Sequence, residues 1–215
     1  MPERPAGGGR PRPPAGASAH RYVDLDTAAP IWDRFLCVAP LVVIGTLDED
    51  GSFDLAPKHM VTPLGWDNYF GFVCTPRHAT LRNAIREEAF TVSYPSPEQV
   101  VQASLTAAPR CEEGRKGSLT VLPIASAECV PGPLLDGAYV QLECRLDRVI
   151  EGFGENALVV GRIVAARVHE TAARDREVED QELLSRSPLL AYLSPGQFAR
   201  IAEGQSFPLP AGFRK

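Results

Sequence analysis

Two long runs toward the C-terminal end, AYVQLECRLDRVIE (138–151) and NALVVGRIVAARVHE (156–170), constrain the fold more than any other feature of this chain. In the first, Val140, Leu142, Cys144 and Leu146 alternate with Gln141, Glu143, Arg145 and Asp147. A period of two places these sets on opposite faces of a strand. The second run is rich in Val and Ile, and only GFGE (152–155) separates the two. The pair therefore reads as a hairpin of two long antiparallel strands. Gly152, Gly154 and Ala157 imitate a dinucleotide-binding fingerprint, but that motif must follow a parallel strand and open a helix. A strand follows here, so the motif reduces to a hairpin turn.

Further strands precede this pair. In APLVVIGTLDEDGSFDLAPKHMVTP (39–63), an apolar run from Leu41 to Leu47 is followed by a turn with Asp50-Gly51 at its tip and a returning run. Pro57 within the returning run marks an edge, a bulge or an irregular strand end. WDNYFGFVCT (66–75) and FTVSYP (90–95) read as two more strands. Between them PRHATLRNAIREEA is helical, with Leu81, Ala84 and Ile85 on a narrow stripe. SPEQVVQASLTA (96–107) opens with Ser96 and Pro97, the signature of a second short helix. Residues 108–137 show no clear period and read as a long excursion. After 170 come a polar stretch (171–183), a short helix expected near PGQFARIAE (195–203), and an aromatic-proline end with Phe207 and Phe213. Six or more antiparallel strands with two short helices predict a mainly β fold, a barrel of Greek-key type with peripheral helices.

Composition narrows the function classes. Net charge is −5 over 215 residues, which argues against tracking nucleic-acid phosphates with a basic stripe. No apolar run approaches the roughly 20 residues that span a bilayer, and the N-terminus lacks a secretory apolar core. A cytoplasmic protein without membrane or nucleic-acid partners is expected. Residues 1–19, mostly Pro, Gly, Ala and Arg, are expected to form a disordered tail before one domain over 20–215. The five cysteines include no CxxC pair, so neither a disulfide framework nor a metal site is expected. Cys37, Cys74 and Cys144 lie in apolar or alternating runs and read as small core residues.

The chemistry concentrates in TPRHATLRN (75–83), where a strand hands over to a helix. A helix N-terminus offers unpaired N–H groups and the positive end of its dipole. Arg77 adds a fixed charge with a planar donor fork, His78 and Thr80 add short donors, and Asn83 follows Thr80 by one turn. Thr75 could cap with Pro76 at the first position, or the helix begins nearer Ala79. Together these residues favour an anionic ligand such as a phosphate, although the same mixture also serves as a solvated cap. A second segment, APKHMVT (56–62), could face the same ligand.

These stretches also carry a resemblance. The order of LAPKHMVTP, then RHATLRN, then EEAFTVSY, then the long hairpin and LLAYLSPGQFARI, resembles the flavin reductase-like, FMN-binding split-barrel family over roughly residues 30–210. The resemblance implies a homodimeric split barrel holding FMN near the subunit interface. It would set Lys58, His59, Met60 and Val61 beside the isoalloxazine. Thr75, Arg77, His78, Thr80 and Asn83 would match the residues holding phosphate and ribityl chain. Relatives often carry small hydroxyl residues after the Ala-Pro, where this chain has Lys58, His59 and Met60. A cation there would favour reduced, anionic flavin, and His59 would wall a nicotinamide pocket.

The implied activity is NAD(P)H-dependent flavin reduction, with NADH or NADPH as co-substrate and a partner oxygenase or other acceptor downstream. The alternative is an FMN-binding electron carrier without nicotinamide oxidation. A phosphate-seeking helix mouth does not choose between FMN and a deazaflavin.

Overall fold

The computed structural model describes residues 21–111, 114–175, 177–210 and 212. The expected tail (1–19) and Phe213 lie outside them.

Along the chain, β1 (Cys37–Pro40) and β2 (Val42–Leu47) lead through the turn at Gly51 (φ 77°) into β3 (Phe53–Lys58). A two-residue corner then gives β4 (Val61–Pro63), which pairs with β5 (Tyr69–Cys74). Helix α1 (Ala79–Arg86) follows, then β6 (Ala89–Tyr94) and α2 (Val100–Leu105). The excursion is more ordered than its composition suggests: it carries a 3₁₀ turn (Gly117–Val121) and a small hairpin, β7 (Ile124–Ser126) with β8 (Pro133–Leu135). The long pair is β9 (Val140–Phe153) and β10 (Asn156–Val168), turned at Gly152 and Gly154 with positive φ. Helix α3 (Asp180–Arg186) precedes β11 (Leu189–Ser194) and β12 (Gln197–Ile201).

Seven strands form one antiparallel sheet in the order β3-β2-β6-β9-β10-β5-β4, curled into a half-barrel. A separate sheet has the order β1-β11-β12. Pro57 sits on edge strand β3, where a missing N–H is tolerated. The helix expected near 195–203 is instead β12. Gly196 at φ 73° makes a tight turn, and Phe198 and Ile201 pair with Tyr192 and Leu189 of β11. A helix does form nearby, but in the polar stretch, as α3.

The sheet curls around Ile44, Phe70, Phe72, Leu81, Phe90, Val92, Leu142, Cys144 and Val159. Phe72 and Phe90 meet edge to face, with centroids 5.0 Å apart. Strand β2 is buried on both faces: Val43 packs outward against Leu55, Ala103 and Leu135. This is why VVIG is continuously apolar rather than alternating. At Gly45 a methyl group would overlap Pro133 O and the Thr91 hydroxyl, so β8 can cross β2 only over a glycine. Burial pushes the Cys144 thiol up to about 12, with Glu143 adding to the shift, leaving an inert core residue. One residue of the polar face of β9 departs from the expectation. Glu143 is 2% exposed, because the backbone N–H groups of Glu128, Cys129 and Val130 fold over it and donate to Oε2.

Candidate functional site

Helix α1 begins at Ala79, with His78 as its cap residue in extended conformation. Its first turn holds no acidic side chain, so the dipole is left uncompensated there. Against this mouth lie the end of β3 and the chain leaving α2. The three segments enclose a cleft of about 420 Å³ lined by Lys58, Arg77, His78, Thr80, Arg82, Arg110 and Lys116, with Asp54 at its floor. Ala56, Pro57, Ala107, Ala108 and Pro109 supply an apolar wall.

Asp54 organises the floor. It is 2% exposed, and Arg110 and Lys116 each approach its Oδ1 at 3.0 Å. Neither cation aims an N–H along that oxygen's lone pair, so Oδ1 has charge partners but no hydrogen bond of good geometry. Thr80 Oγ1 donates to Oδ2 at 3.4 Å. Lys116 instead spends its protons on Leu55 O (2.7 Å) and Thr106 O (3.0 Å), which ties the excursion to β3 and α2. Arg110 grips Asp48 with a two-pronged bond of 2.7 and 3.0 Å. Asn83 Nδ2 reaches the same Asp48 at 2.8 Å and Thr46 Oγ1 at 3.2 Å.

Five cationic side chains thus face one carboxylate in the cleft. The imbalance registers on His78: partial burial lowers its pKa first, and Lys58, Lys116 and Arg82 lower it further, so the ring is neutral at pH 7. A dianionic group bound there would relieve this repulsion. The donor set, with a helix mouth and an apolar wall, fits a phosphate carrying an apolar ring system.

Of the residues singled out from the sequence, Lys58, Arg77, His78 and Thr80 line the cleft together. Arg77 pairs with Glu155 of the long hairpin at 2.5 Å, both exposed. Asn83 lies at the adjoining cleft, buried and occupied by Thr46, Asp48 and Arg86. Four others are not among the lining residues. His59 stacks on Tyr192 of β11, ring centroids 4.4 Å apart. Met60 is 48% exposed, and Val61 packs toward the core. Thr75 Oγ1 accepts from the Arg77 amide at 3.5 Å.

Asp54, Arg110 and Lys116 were not legible as site residues. The one signal was an acid amid the apolar alternation of FDLAP; the two cations lie in an aperiodic stretch whose position only folding reveals.

Comparisons with known proteins agree with this architecture. A family model described as a flavin reductase like domain matches residues 34–197. Nitrilotriacetate monooxygenase component B from Bacillus cereus superposes with a TM-score of 0.74 at 19% identity, covering 89% of this chain and 100% of that one. Flavoredoxin from Methanosarcina acetivorans superposes with a TM-score of 0.71 at 18% identity, covering 90% and 98%. The NADH:FAD oxidoreductase of Streptomyces globisporus C-1027 gives 0.67 at 16% identity, covering 86% and 99%. With strand order, helix placement and family match in agreement, this chain is a split-barrel protein belonging to the flavin reductase-like domain family.

Proposed function

We propose that this protein is an NAD(P)H-dependent flavin reductase that binds FMN and delivers reducing equivalents to a partner oxygenase or other acceptor. The observation that carries the proposal is the cation-rich cleft at the mouth of α1, within a chain of this family. In this reading Thr80, His78 and the first-turn amides of α1 bind the 5′-phosphate, while Arg77 and Arg82 neutralise it. When bound, the flavin supplies hydride acceptance from nicotinamide. Lys58, which lines the same cleft, holds a positive charge that opposes the negative charge gained on reduction. The protein's task is positioning, so no dedicated acid or base is required. Membership of the family supports the flavin. The names of the Streptomyces and Bacillus neighbours lend the nicotinamide and the oxygenase partner their support.

Two copies are proposed to associate through the β1-β11-β12 sheet. Val38 and Phe198 there, and Trp32 and Leu36 just before it, are large apolar residues more than half exposed.

The test is an absorbance spectrum of the full chain with FMN, followed anaerobically by NADH and by NADPH. Flavin bands that bleach with either nicotinamide are expected, and Lys58→Met should lower the midpoint potential. Bands that bleach only with dithionite would make the protein an electron carrier. Failure to bind FMN at saturation would overturn the flavin reading.

A further inference from the structure

On the outer face of the large sheet, Arg145 of β9 lies directly opposite Arg162 of β10, and Arg162 lies directly opposite Tyr69 of β5. Both arginines are exposed, while their chain neighbours Cys144 and Ile163 point the other way and pack in or against the core. Like charges directly across a strand pair are destabilising. Among the described residues, neither arginine has a carboxylate within ion-pair distance. Arg162 instead lies over the Tyr69 ring, 6.0 Å from its centroid. Arg148 shares this face, since its neighbour Val149 packs inward, but it is paired with Asp147. Beside the arginines, Trp66, Asp67, Asn68, Tyr69 and Arg162 line a cleft of about 380 Å³. Trp66 is 96% exposed, yet its turn is firmly held. The Leu64 N–H donates to Tyr69 O at 3.0 Å, the Tyr69 N–H to Asp67 O at 2.8 Å, and the Ile163 N–H to Asn68 O at 2.8 Å. The indole therefore stands in solvent on a fixed support.

We propose that this face docks an acidic segment of a partner protein, with its carboxylates on Arg145 and Arg162 and an apolar side chain against Trp66. Trp, Tyr and Arg are the residue types that carry most of the binding energy at protein interfaces. The chain as a whole is net −5, so an unpaired arginine pair is a local reversal of sign. Its complement is a carboxylate-rich surface, and a bound carboxylate removes the repulsion across β9 and β10. A second copy related by a twofold axis through this face would set the same arginine pair against itself. Two unpaired arginines are also too few for the run of phosphate contacts that holds a nucleic acid. The surface shares no residue with the cleft at α1, so docking here does not depend on the flavin reading.

The experiment is a fluorescence titration of the full chain carrying Trp32→Phe, so that Trp66 is the one tryptophan left to report. The probe is a synthetic peptide of four glutamates followed by two leucines, with both ends blocked. Saturable binding with a blue shift of Trp66 emission is expected, as the leucines cover the indole. Adding Arg145→Gln and Arg162→Gln should weaken the peptide about tenfold or more, as loss of one or two charge-assisted contacts would give. The urea midpoint of that variant should be no lower than before, because the substitutions remove directly opposed like charges. A peptide with glutamine in place of each glutamate should not saturate.

Absence of a saturable shift overturns the proposal, as does equal binding of the glutamine peptide or undiminished binding by the arginine variant. Trp66 emission that moves to the blue with protein concentration alone would give the face to a second copy. A shift with phosphatidylserine vesicles and none with the peptide would give it to a membrane surface. Either result also overturns docking of an acidic partner, and both leave the flavin proposal untouched.

Discussion

Single residues set the tolerances of this molecule. At Gly45 there is no room for a methyl between β2, the Thr91 hydroxyl and the Pro133 carbonyl, both of which belong to the fixed frame of the sheet. Gly45→Ala is expected to destabilise the fold by about 3 kcal/mol, the upper end of ordinary overpacking. A urea midpoint lowered at constant slope would show this; an unchanged midpoint would mean that β8 does not cross there. Asp54 is the opposite kind of residue, a buried acid that fixes two cations without fully satisfying itself. Left alone, Arg110 and Lys116 would be long, solvated chains of high entropy. Held by Asp54, Asp48 and main-chain carbonyls, they stand ordered along the cleft.

Elements meet through a few polar and aromatic clasps, and one of them should be visible in pH dependence. His59, in the corner between β3 and β4, stacks on Tyr192 of β11, joining the two sheets. Burial lowers its pKa below the ordinary 6.5, and Lys58 adds to the shift. A base with a lowered folded pKa is neutral in both states well above 6.5, where it has no pH-dependent effect. As pH falls below 6.5 the unfolded chain takes up the proton first, so stability declines until the folded pKa is passed. His78 acts in the same direction. The urea midpoint is expected to fall below pH 6.5, and His59→Gln should flatten that decline. Parallel profiles for the two proteins would show that the corner does not feel the proton. At much lower pH a different group acts. Asp50, held down to about 2 by its bonds to Ser52 and by Arg115, loses its contribution only as pH falls below 3.8.

For the whole molecule, the small β1-β11-β12 sheet has no counterpart packed over Val38 and Phe198 within the described chain. If two copies cover this surface, the wild type should sediment at twice the chain mass at micromolar concentration. Val38→Asp should then yield a monomer with unchanged far-ultraviolet dichroism. A wild type of single-chain mass would remove the proposed association. Among the described residues no helix is long and apolar enough to cross a membrane.

The elements written in local pattern were readable from the chain alone. The strict alternation of 140–147 became β9, Asp50-Gly51 became a hairpin turn, and Leu81 and Ala84 of the expected stripe became buried on α1, while its third member, Ile85, is 49% exposed. Local sterics and two-sided patterning suffice for such features. PGQFARIAE misled because a Pro-Gly turn and a docking strand outweighed its helical spacing, and Glu143 misled because a distant loop folded over it. The candidate site divides in the same way. Arg77, His78 and Thr80 lie within four residues of one another at a helix mouth and could be named from sequence. Asp54 with Arg110 and Lys116 could not, since 56 and 62 positions separate the acid from its cations. Only the closing of the sheet, which carries the chain after α2 back across β3, brings them within 3.0 Å.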